Sequence, residues 1–258
     1  MKNVMLSSMF AFSAVAAGPA FAQTNVTKTA NPTIIFVHGL WADGSSWDKV
    51  IPSLVSKGYH VISVQNPTTS IEDDVAATKR AIELADGDVI LVGHSWGGFV
   101  ISEAGDDPKV KGLVYVNAFM PDKGETIASL GAKAAPTQLT NYLKPMDGYI
   151  TLTEDGVKKA FATDLTEAEQ ELVFAVQQPA SENVFKAVGD KAAWKQKPSW
   201  YIIGSEDKTI SPELEKIMAE RAKSKTTVIK ASHVSMLSQP NEVLKVILDA
   251  ASHAAVKN

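Results

Sequence analysis

The segment that most constrains this chain runs from Val89 to Gly98. Four apolar residues, Val89-Ile90-Leu91-Val92, lead without a break into Gly93-His94-Ser95-Trp96-Gly97-Gly98. An apolar, β-branched run ended by glycine reads as a buried strand, and the residues from about Phe99 onward read as a helix. A serine between the two, with glycine two positions away on either side, has the spacing of a sharp strand-to-helix turn. There the neighbours must approach closely without a Cβ, and the hydroxyl is left exposed above the sheet. A surface turn makes no such demand.

Around this turn the chain alternates strand and helix. Thr33 to Val37, His60 to Val64, Val89 to Val92, Gly112 to Val116, Trp200 to Ile203 and Thr226 to Ile229 are short apolar or β-branched runs. Helical patterns lie between them, with start signals at Ser45-x-x-Asp48, Ser70 and Ser211-Pro212 and a last helix from about Pro240 to Ala251. Alternating βα units predict an α/β fold with a mostly parallel six-stranded sheet flanked by helices, and a ligand site beyond the carboxyl ends of the strands. From Pro121 to about Lys197 the rhythm stops. Pro136, Pro145 and Asp147-Gly148 are turn signals there, and Thr166-x-x-Glu169 opens a helix, so this stretch is expected to form a helical lid inserted after the fourth strand.

Residues 1–22 stand apart. Lys2, the serine-spotted apolar run Val4 to Ala17 and the small residues of Ala20-Phe21-Ala22 have the layout of a signal peptide cut after Ala22. Gly18-Pro19 interrupts the run, which falls short of the roughly 20 residues that a membrane span requires. The expected mature protein is residues 23–258, exported to a periplasm or secreted, with no membrane attachment after cleavage. With no cysteine, such a fold must be stable without disulfides and has neither thiol catalysis nor thiolate metal ligation available. Residues 1–22 hold one of the 25 basic side chains and none of the 29 acidic ones, so cleavage moves the net charge from −4 to −5. Lys186, Lys191, Lys195 and Lys197 are interspersed with Asp190 and apolar residues. That is a solvated face, and nucleic acid is not an expected partner. No metal-ligand spacing and no dinucleotide fingerprint occurs, so no cofactor is expected.

A serine hydroxyl is nearly inert at neutral pH unless a base sits beside it. His233 follows the last strand, at the same edge of the sheet as Ser95. Glu206 and Asp207 follow the strand before it, where either carboxylate could orient an imidazole; Asp122, beyond the fourth strand, is a weaker rival. His38-Gly39-Leu40-Trp41 ends the first strand, where the Leu40 amide, with that of Trp96, is suited to hold a developing oxyanion. Trp41 and Phe119 are candidates for the wall of an apolar pocket. His60, His94 and His253 are given no chemical role.

The segments Val37 to Trp47, Gly93 to Gly98, Gly204 to Leu214 and Ser232 to Pro240 resemble those of the small α/β-hydrolases related to plant methylesterases and hydroxynitrile lyases and to bacterial esterases. The resemblance covers roughly Pro32 to Ala251. It implies the α/β-hydrolase fold, the order nucleophile Ser95, acid Asp207 and base His233, and Asp207 over Glu206, because the acid is the third residue after the strand-end glycine. The lyases carry threonine after the first-strand histidine and lysine after the catalytic one, whereas this chain has Gly39 and Val234. The resemblance therefore implies a carboxylesterase-like serine hydrolase acting on a small-molecule ester. Lactone hydrolysis, perhydrolysis and non-catalytic ligand binding remain as alternatives on the same fold.

Overall fold

Thr33–Val37 forms β1, and all five residues are buried, as a strand covered on both faces requires. The computed structural model describes residues 31–256; the leader expected over residues 1–22 lies outside them. After β1 come a 3₁₀ turn at Gly44–Trp47, α1 (Ile51–Ser56), β2 (Val61–Val64), α2 (Ile71–Leu84), β3 (Val89–His94), α3 (Trp96–Ala104) and β4 (Val110–Val116). The expected box at Ser45 is instead an Asp43 cap: its carboxylate accepts the Ser45 N–H at 2.8 Å, and the helix proper starts at Ile51 with Pro52 in its first turn. Ser70 caps α2 as expected, accepting from Asp73 N–H. α3 starts at Trp96, directly after the serine and earlier than the expected Phe99.

The insertion follows β4. It holds α4 (Ile127–Gly131), β5 (Leu143–Met146), β6 (Tyr149–Leu152), α5 (Glu154–Gly156) running into a π-helical turn at Val157–Phe161, α6 (Glu167–Val176) and β7 (Ala180–Ser181). The lid is thus mixed, with a three-stranded sheet in the order β5-β6-β7 beside its helices. The chain then returns through β8 (Ser199–Gly204), α7 (Pro212–Ala222), β9 (Lys225–Ile229), α8 (Ser235–Ser238) and α9 (Pro240–Val256).

The six long-range strands pair in the order β2-β1-β3-β4-β8-β9, every pair parallel. β3 lies inside this sheet, with β1 and β4 on its two sides. Its carboxyl end therefore opens at the centre of the sheet edge, where the order of the strands reverses and ligands bind in open parallel sheets.

Candidate active site

Ser95 sits between β3 and α3 with φ 53° and ψ −119°, a conformation that a side-chain-bearing residue holds only when its surroundings impose it. Two backbone bonds at the end of β4 do so: Ser95 N–H donates to Val116 O at 3.3 Å, and Phe119 N–H donates to Ser95 O at 3.1 Å. Gly97 is obligatory, since a Cβ there would run into the carbonyl oxygen of Val37 on β1. The turn is thus pinned from both neighbouring strands.

His233, on the loop after β9, is wholly buried, and its Nδ1 lies 2.7 Å from Asp207 Oδ2. Asp207, on the loop after β8, also accepts from Asn117 Nδ2 at 3.2 Å and from the N–H groups of Thr209 and Ile210 at 2.7 and 3.0 Å. A carboxylate with this many donors stays put, and Nδ1–H donation to it leaves Nε2 as the basic nitrogen. Nε2 is buried and makes no hydrogen bond. The other acids are elsewhere: Glu206 is half exposed and faces Lys230 at 3.7 Å, and Asp122 pairs with Lys195 at 2.5 Å. Geometry thus selects Asp207 as the partner of His233, a choice that spacing alone left open.

The loop after β1 is braced by His38. Its Nδ1–H donates to Gly39 O at 2.9 Å, and its Nε2 accepts the Asn66 N–H at 2.9 Å; burial pushes its pKa down, favouring this neutral tautomer. Gly39 lies so close to Ser95 that a Cβ there would be 2.7 Å from Ser95 Cβ and 3.1 Å from His94 Nδ1. The threonine of the plant lyases has no room here. Among the described residues, the amides of Leu40 and Trp96 donate to no protein acceptor, as oxyanion donors require. Trp41 takes a positive φ of 57°, and its indole N–H donates to Ile150 O of β6 at 2.9 Å, joining this loop to the lid.

Ser95, Leu40, Trp41, Trp96 and Phe119 line one cavity of about 320 Å³, closed on the lid side by residues such as Leu139 and Phe185. No charged side chain lines it.

Several residues at the site were not read from the sequence. His94, pushed well below its ordinary pKa by burial and by the neighbouring His233, packs with its ring centre 4.7 Å from that ring, tilted by 52°, and bonds His233 O through Nε2 at 3.0 Å. Phe161, from the π-helical turn, packs 5.1 Å from His233, and Asp164 accepts from both the N–H and the hydroxyl of Ser232. Asn117, which bonds Asp207, also accepts from Ser235 Oγ at 2.5 Å. His94 lies inside the Gly93–Gly97 turn, where its contact with His233 leaves no trace in the sequence. The others belong to no local motif, and each is brought in by an element distant in the chain.

Similarity to known proteins agrees with this layout. A carbendazim-hydrolysing esterase of Nocardioides sp. (strain SG-4G) is 27% identical over 62% of this chain and 64% of its own length, so the match spans just under two thirds of that relative. Methylesterase 8 of Arabidopsis thaliana is 26% identical over 72% of this chain and 76% of its own. The crystal structure of polyneuridine aldehyde esterase superposes with a TM-score of 0.75 at 23% identity, covering 85% of this chain and 98% of that one, a likeness of fold. The model of the alpha/beta hydrolase family matches residues 34–246, which takes in the elbow, both strand-end loops and the lid, and the chain belongs to that family.

Proposed function

We propose that the protein hydrolyses carboxylic esters of small uncharged molecules through a covalent acyl-enzyme. The observation that carries this reading is the opening of Ser95, on its elbow, into an uncharged cavity, with the bonded His233–Asp207 pair on the loops that follow β9 and β8 at the same edge of the sheet. His233 Nε2 removes the hydroxyl proton as Ser95 Oγ attacks the ester carbonyl. The amides of Leu40 and Trp96 hold the oxygen that becomes negative, and His233 then passes the proton to the departing alcohol. Water, activated by the same nitrogen, attacks the acyl-enzyme and releases the acid. Gly39 and Val234 support hydrolysis over cyanohydrin cleavage, since neither brings the hydroxyl or the ammonium of the lyases. The leader-like residues 1–22 support a site of action outside the cytoplasm.

A fluorophosphonate probe tests the reading directly. It is expected to label Ser95, and Ser95→Ala is expected to abolish labelling and lower nitrophenyl ester turnover by at least about 10³-fold with the fold intact. Turnover unchanged in that variant overturns the proposal. An unlabelled wild-type protein that still binds apolar esters would be a ligand-binding member of the fold.

A further inference from the structure

Behind Asp207 lies a second acid that the proposed reaction does not use. Glu215 belongs to the first turn of α7 and is completely buried. Its Oε2 accepts the N–H of Gly204 at 3.1 Å, and its Oε1 is sealed from solvent without a partner in its ionised form. The groups that act on its charge are the Asp207 carboxylate and the Asn117 amide, and the Gly204 that it holds lies three residues before Asp207. Asn117 Nδ2 bonds Asp207 Oδ2 and packs against Gly204, so both acids meet the same short stretch of chain. Two carboxylates in such a place cannot both be charged cheaply. Asp207 has donors on both of its oxygens, whereas Oε1 of Glu215 has none. Burial, reinforced by the charge of Asp207, pushes Glu215 well above the usual carboxylate range.

We propose that Glu215 is a positioning residue for the base: its carboxyl proton is donated to Asp207, and this bond limits how strongly Asp207 draws on the His233 imidazole. The inference rests on the Ser95–His233–Asp207 reading above. The other titratable groups around the cluster leave the bond intact. Tyr201 of β8 is held neutral by burial, with a pKa well above its usual value, and His94 at the end of β3 is held neutral by burial as well. Asp164 of the lid is engaged with Ser232, and Glu206 with Lys230. Asp207 and His233 are the groups whose charge Glu215 meets.

The test follows kcat/KM for a nitrophenyl ester across pH in the wild type, E215Q and E215L, with thermal unfolding recorded alongside. The acid edge of that profile reports the free enzyme's base. Glutamine keeps a donor toward Asp207 and an acceptor for Gly204, so E215Q is expected to retain the wild-type edge and about wild-type kcat/KM. Leucine leaves Asp207 without the donor, so E215L is expected to move the edge upward by about half a pH unit and lower kcat about tenfold at nearly constant KM. An E215L edge that coincides with wild type, or an E215Q edge displaced as far as that of E215L, overturns the proposal. If E215L does not fold, E215D, whose carboxyl stops a methylene short, must show the displacement, and its coincidence with wild type is equally fatal. Failure of the Ser95 reading looks different: the wild type itself is then neither labelled nor active.

Discussion

Both oxygens of Asp74 are occupied. Oδ1 accepts the N–H of Thr68, itself at φ 52°, at 2.9 Å, and Oδ2 accepts Nε1 of Trp96 at 2.7 Å. The residue that offers a proposed oxyanion amide is therefore anchored by its indole to the start of α2. Burial raises the Asp74 pKa to about 6 although both bonds pull it down. A carboxyl that holds its proton more tightly when folded stabilises the fold below its unfolded pKa near 4 and loses that contribution as pH rises toward 6, a swing of about 3 kcal/mol. The stability advantage of wild type over Asp74→Asn, measured by urea unfolding, should accordingly shrink between pH 4 and 6.5. A constant difference would mean that Asp74 does not titrate there. Sequence could not single this residue out. Asp74 stands in an acidic first turn with Glu72 and Asp73, where carboxylates are ordinary helix-dipole partners, and its indole partner is 22 positions away. Glu215 left a fainter trace: it shares the buried face of α7 with Leu214, Met218 and Ala219, a charge where the pattern calls for an apolar side chain.

At the scale of elements, the parallel sheet was legible because each strand is a short apolar run with its own stop signal. The lid was not. Asp147-Gly148 reads as a turn, but both residues have positive φ, 46° and 78°, and close a two-residue hairpin between β5 and β6. Pro145 masks β5, since proline within a strand is tolerated only at an edge, which β5 is. The link from lid to base was invisible for another reason: Asp164 and Ser232 are 68 residues apart and meet only after folding. Asp164→Ala leaves a buried Ser232 N–H unpaired. It is expected to cost about 1–3 kcal/mol of stability and to lower kcat for a short-chain nitrophenyl ester while KM changes little. A rise in KM alone would show that the contact shapes the pocket and leaves His233 where it is.

For the whole molecule, the expected leader defines the mature chain. Full-length protein produced in a bacterium with a periplasm should be recovered there beginning at Gln23, as read by intact mass or N-terminal sequencing. Recovery of the uncut chain in the cytoplasm would refute export. Among the described residues no helix is long and apolar enough to cross a membrane. The order of chemical groups, Ser95 then Asp207 then His233, was readable because each follows its own strand. Of the cavity wall, Trp41 and Phe119 were readable from their places after β1 and β4, but the rest was not, because it comes from the loop after β8 and from the insertion.

The place of β3, with a parallel neighbour on each side, gives the molecule two regimes of persistence. The turn that carries Ser95 is bonded to β4 and crowded by β1, so it opens only when the middle of the sheet opens. The lid's own sheet ends in a two-residue strand, β7, and at its other edge three of the four residues of β5 face water. On warming, or under mutational drift, the wall of the cavity is therefore expected to loosen first, and the turn that carries Ser95 to outlast it.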